Sequence, residues 1–298
     1  MRIPLLAISI LLPQLLRGGT TTIDPAAAHA YGANIGWINA RGDISNGATV
    51  GEFICSGYIY SANVGWINLG SGAPTNGIRY QNDAATDYGV NTQEFSSVSG
   101  TVEAKLRGYA YSGNIGWISF ETTGNPRVDL TRGELKGYAY SANAGWISLS
   151  GSGVITKTTS FAPATDSDGD MIPDAWERTH AGDLSTMTLI TDSDGDGFSD
   201  SEEYTADTNP RSSGEMLRIT NFIPPRQLAV AGPFMTDLTW TSNPTRFYSI
   251  EINTELHSAW ATSATGIPSA GTTTTKSFID TPTAVRFYRI RAKLPFAP

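Results

Sequence analysis

Two twelve-residue stretches, 166–177 (DSDGDMIPDAWE) and 192–203 (DSDGDGFSDSEE), carry carboxylates at the same five positions: 1, 3, 5, 9 and 12. In the first these are Asp166, Asp168, Asp170, Asp174 and Glu177; in the second, Asp192, Asp194, Asp196, Asp200 and Glu203. Five carboxylates gathered so closely repel one another unless a cation lies between them. Calcium takes six to eight oxygens at about 2.3–2.6 Å, and a chain winding round it presents side chains at alternate positions. Position 7 donates a backbone carbonyl, here that of Ile172 or Phe198, and the closing Glu reaches back with two oxygens. Hard oxygen donors without a His or Cys cluster select against zinc and copper. The expected cofactor is Ca2+, with about two ions, one per loop.

Charge is distributed accordingly. Residues 166–207 hold 13 of the 28 acidic residues and one base, Arg178, whereas the rest of the chain is net positive. The acidity is local and points to a bound cation. No basic stripe exists for nucleic acid. The element that presents each closing Glu is expected to be a short helix started by the loop itself. Pro163 precludes a helix before the first loop. Position 6, where a sharp turn favours Gly, is Met171 in the first loop and Gly197 in the second, so the first turn is expected to be strained. Asp207 and Asn209 are further candidate oxygen donors.

The loops resemble thrombospondin type 3 calcium repeats over residues 165–212, and more loosely the loops of EF-hands and dockerins. The resemblance implies calcium ligation by the ten carboxylates named above. The apolar residue stands at position 7 rather than 8, which argues against the strand bridge of paired EF-hand loops.

Upstream, four segments share one pattern: AHAYGANIGWIN (28–39), GYIYSANVGWIN (57–68), GYAYSGNIGWIS (108–119) and GYAYSANAGWIS (137–148). Their tryptophans are Trp37, Trp66, Trp117 and Trp146, and the spacing Trp37 to Trp117 equals Trp66 to Trp146. A two-motif unit has been duplicated. Each motif reads as a β-hairpin turning at Asn-x-Gly, with Gly57, Gly108 and Gly137 marking bulges or close backbone approach. Cys55 stands where the repeat elsewhere has Leu106 and Leu135, so it is expected to be a buried hydrophobe rather than a nucleophile. Tyr58, Tyr60, Tyr109, Tyr111, Tyr138, Tyr140 and the four tryptophans are expected to form the core of the sheet; an exposed platform for sugars is the alternative. The wording GYAYSANxGWIS resembles a repeat of exported bacterial proteins.

Residues 213–298 alternate in short strands, as in Phe247 to Ile252, and suggest a β-sandwich similar in outline to fibronectin type III modules. Trp240 and Trp260 are expected in its core. The fold class is thus mainly β. A signal peptide at 1–20 is followed by a β-hairpin repeat domain at 21–152, a linker at 153–164, a calcium segment at 165–212 and a β-sandwich at 213–298. Met1-Arg2 and the apolar run from Ile3 to Leu16 suit an export signal. No other stretch is long and apolar enough to span a membrane.

His29, His180 and His257 lie in separate segments, and no nucleophile elbow, phosphate loop or dinucleotide fingerprint is present. The expectation is a secreted or cell-surface, non-enzymatic protein in which calcium rigidifies the connector between two β domains. The alternative is a carbohydrate-binding protein using the Tyr/Trp repeats. Expected partners are calcium and extracellular polysaccharide or another surface protein.

Overall fold

The computed structural model describes residues 21–98, 100–151, 153–227, 232–283 and 285–297; the expected signal peptide lies outside them. The fold is mainly β, with two seven-residue α-helices, α1 (Asp174–His180) and α2 (Asp200–Ala206). Among the described residues no helix is long and apolar enough to cross a membrane.

Each repeat motif folds as a hairpin, and all four close in the same register: Gly32 opposite Gly36, Ser61 opposite Gly65, Ser112 opposite Gly116 and Ser141 opposite Gly145. The hairpins then join edge to edge by one repeated pairing. Asn39 pairs with Tyr60, Asn68 with Tyr111, Ser119 with Tyr140, and Ser148 with Tyr31. The last pairing returns to the first hairpin, so eight strands form a closed ring. Closure leaves no free edge within the ring.

The turn asparagines repeat the circle. The Nδ2 of Asn63 donates to the Ile35 carbonyl at 3.0 Å, Asn114 to Val64 at 3.0 Å, Asn143 to Ile115 at 3.1 Å and Asn34 to Ala144 at 3.2 Å. Each hairpin tip is thereby tied to its neighbour. The repeated glycine before each tyrosine allows a close approach: Gly137 has φ 84°, and a Cβ there would stand 2.3 Å from the Asn125 carbonyl oxygen.

Strand alternation puts small and aliphatic side chains inside the ring. Ala30, Ala110 and Ala139 are buried, as are Ile38, Ile67, Ile118 and Ile147. The aromatic residues point outward, which corrects the expectation that they form the core. The four tryptophans are 46–54 % exposed, and of the six tyrosines named above only Tyr109 is half-buried rather than exposed. A ring of eight strands has a narrow interior that small side chains fill, and indole and phenol rings do not fit there. Cys55, by contrast, lies in the same buried cluster as Leu106 and Leu135, as the repeat alignment implies. Burial pushes its thiol up to about 12.

The stretch after the repeats is not a linker from residue 153 onward. Strand Val154–Thr158 pairs with strand Ile23–Gly32 and with Glu134–Lys136, because Val154, Thr156 and Thr158 all find buried places. The C-terminal part consists of two three-stranded antiparallel sheets. Leu238, Trp240, Tyr248, Ile250 and Phe278 are buried between them. Trp260 is not in that core; it is half-buried beneath the Arg289 guanidinium, 4.4 Å from its ring centroid. A cation over an aromatic face offsets part of the cost of leaving the ring wet.

Candidate calcium centres

Both acidic loops adopt one local conformation, set by their own backbone amides. In the first, Asp166 accepts from the amides of Gly169 (2.8 Å) and Met171 (3.0 Å), while Asp170 accepts from Ile172 (2.9 Å). In the second, Asp192 accepts from Gly195 (2.7 Å) and Gly197 (2.9 Å), and Asp196 from Phe198 (2.8 Å). Carboxylate oxygens of Asp166, Asp168 and Asp170 lie within 4.8 Å of one another, as do those of Asp192, Asp194 and Asp196.

The closing glutamates complete each arrangement. Glu177 stands in the first turn of α1 and Glu203 in that of α2, and both are buried. Neither oxygen of Glu177 has a hydrogen-bond partner, and Oε2 of Glu203 has none. Oδ2 of Asp170, Asp194 and Asp196 is likewise buried and unpartnered. Burying a carboxylate oxygen without a donor is costly. Six such oxygens in two loops form a donor set that fits a cation. Burial, and then the neighbouring aspartates, push Glu177 up to about 7. Burial also dominates at Glu203, which is pushed up to about 7 with Asp194, Asp196 and Asp200 adding to the shift. A divalent ion among these groups would hold both in the charged form. The donor set is all oxygen, which suits calcium.

Asp174 and Asp200 also accept hydrogen bonds within their own loops. Both oxygens of Asp174 accept from Ser167, through its amide (2.7 Å) and hydroxyl (2.6 Å). Asp200 accepts the same two bonds from Ser193 at 3.1 and 3.0 Å, and also one from the Thr191 hydroxyl. The second loop residue needs an acceptor, and the position-9 carboxylate supplies it, so these aspartates staple the loop entry to the helix start. Asp207 and Asn209 are also engaged elsewhere. Asp207 accepts from the Thr245 hydroxyl and through its carbonyl from Asn243, while Asn209 accepts from the Arg211 amide. The two position-7 residues differ: Ile172 is fully buried against Trp176 and Met187, whereas Phe198 is exposed.

The loops are unequal. Met171 is held at φ 74°, a left-handed conformation that costs a side-chain-bearing residue about 1–2 kcal/mol; Gly197 takes φ 96° without that cost. Helix α1 has Pro173 as its N-cap residue and no side-chain cap, but α2 has a complete capping box between Ser199 and Glu202. The Ser-x-x-Glu signal at 199–202 was available in the sequence.

Residues 192–211 match the family model of the bacterial TSP3 repeat. The matched residues contain the better-formed loop and its helix, and the match suggests calcium binding by this thrombospondin type 3-like segment. No curated protein and no solved structure matches the chain. The left-handed Met171 separates the first loop from the matched TSP3 repeat in conformational cost. Met171→Gly is therefore expected to stabilise the folded chain by up to about 1 kcal/mol relative to Met171→Ala, which keeps a Cβ in the left-handed conformation. Urea unfolding of the two variants checks this.

Proposed function

We propose that this is a secreted, non-enzymatic, calcium-binding structural or adhesion-type protein, in which the ions stiffen the junction between the repeat ring and the C-terminal sandwich. The observation that carries this reading is the double role of α2. Its first turn presents Glu203 to the acidic loop, and its last turn takes the fully buried Arg246 of the sandwich. Arg246 donates to the carbonyls of Tyr204 at 2.7 Å and Thr205 at 2.9 Å, and to Glu52 of the repeat part at 2.8 Å. An ion that fixes the start of a seven-residue helix fixes its end, where both flanking parts are attached.

The first loop is tied in similarly. Ile172, Trp176 and Met187 form a small core that Phe53 from the repeat part and Tyr204 from α2 cover. So small a core supplies little stability alone, and metal binding supplements it. Limited proteolysis tests the role. With calcium, the chain is expected to resist cleavage between residues 160 and 212, and chelation is expected to open that segment first. Identical digestion patterns with and without calcium would contradict a stiffening role.

A further inference from the structure

The outward aromatic residues are arranged too regularly to be incidental. Each tryptophan of the ring is held edge-to-face by a ring two positions before its hairpin's inner tyrosine. These pairs are His29–Trp37, Tyr58–Trp66, Tyr109–Trp117 and Tyr138–Trp146, with centroids 6.1–6.3 Å apart and interplanar angles of 76–87°. The inner tyrosine packs against the same indole at 4.8–5.1 Å. Every indole is thus held by two rings, and Trp117 by Tyr88 as a third at 5.0 Å, yet each remains about half exposed. Monomeric proteins rarely leave so many large apolar groups in water without a partner for them.

Two of these sites are bounded by clefts of about 430 and 420 Å3. The first has Tyr88, Tyr109 and Trp117 as its wall and Asp83 on its rim. The second has Tyr138, Tyr140 and Trp146, with Glu121 and Thr123 on its rim. We infer that these two clefts are subsites for a neutral polysaccharide, each stacking a sugar ring on the tryptophan and taking hydroxyl donors on the carboxylate rim. Three features select that ligand. The rings touch one another, so no cage is left between them for a quaternary ammonium group, which needs to sit over several faces at once. The rim carboxylates accept hydrogen bonds from hydroxyl groups, and they repel uronic acid or sulfated chains. The sites repeat round a closed ring, which suits a polymer that engages more than one of them and gains avidity from the linkage. Rigid, pre-braced indoles also reduce the ordering cost of binding.

The test is affinity electrophoresis of the full chain, with calcium present, through gels containing hydroxyethyl cellulose, galactomannan or the anionic carboxymethyl cellulose. At least one neutral polymer is expected to retard the protein, and carboxymethyl cellulose is not. Each of Trp117→Ala and Trp146→Ala is expected to weaken the interaction about tenfold, as loss of a central aromatic anchor does. Trp117→Phe and Trp146→Phe, which keep an aromatic wall, are expected to retain part of it. Protection of wild-type indoles from N-bromosuccinimide by the retarding polymer gives a readout independent of variant folding. Failure of both neutral polymers, undiminished binding by the Trp117→Ala/Trp146→Ala double variant, or preference for carboxymethyl cellulose would overturn the inference. Because the clefts lie apart from the acidic loops, none of these results depends on whether calcium stiffens the junction.

Discussion

Arg246→Met is expected to destabilise the protein by about 3–5 kcal/mol in urea unfolding, the usual result of removing one partner from a buried ion pair. The magnitude follows from what the substitution strands. Glu52 is buried, and its two oxygens are bound by Arg246 at 2.8 Å and by the Tyr204 hydroxyl at 2.9 Å. Without the guanidinium it becomes an uncompensated carboxylate, and the Tyr204 and Thr205 carbonyls at the end of α2 lose their donors. The guanidinium also lies 5.3 Å from the Tyr204 ring centroid. Adding Glu52→Gln to Arg246→Met should recover part of the loss, because the stranded charge is then absent. A cost below about 1 kcal/mol for the single variant would show that the junction does not rest on this group.

Calcium removal is the second large effect, and its size depends on pH. At about 1 mM calcium and a dissociation constant near 0.1 mM, each site adds roughly 1.4 kcal/mol. Two sites then correspond to a melting temperature roughly 5–10 °C higher than in chelator. Glu177 and Glu203 set the pH dependence. In the metal-free protein both stand at about 7, above their ordinary 4.5, raised by burial first and by the adjacent aspartates second. A carboxyl whose folded value is raised contributes stability that is present below its unfolded value and lost as pH rises through the folded one. In chelator the melting temperature is therefore expected to fall between pH 5 and 8. With calcium the two groups stay ionised and that slope disappears, so stabilisation by calcium grows with pH. His180, depressed by burial, contributes a slope of opposite sign in both conditions and cancels from the difference. A calcium effect independent of pH over this window would contradict the burial of the two glutamates.

The acidic loops were legible in the sequence because a calcium loop is local: twelve consecutive residues contain the ligands, the turn and the helix start. The same locality made the strain at Met171 readable. Long-range pairing was not legible. Nothing between Tyr31 and Ser148 announces that the fourth hairpin returns to the first, so the ring appeared only as a row of hairpins. Alternation correctly grouped Tyr138 with Tyr140 and set Ala139 opposite, but period two does not say which face is inside. The deciding signal was size. Alanine and isoleucine recur on one face, and a closed ring of eight strands admits them and excludes the aromatics. Arg246 and Glu52, 194 residues apart, lay beyond any pattern argument. The serines at 167 and 193, which occupy the position-9 aspartates, were visible in the sequence but carried no signal of that role.

Calorimetric titration of calcium into the purified chain, beside the Asp168→Ala/Asp194→Ala double variant, tests the central claim most directly. Two binding events in the wild type, unequal in affinity and lost in the variant, are the predicted result. No heat of binding at millimolar calcium, or equal binding by the variant, would contradict the assignment of the two loops as calcium sites.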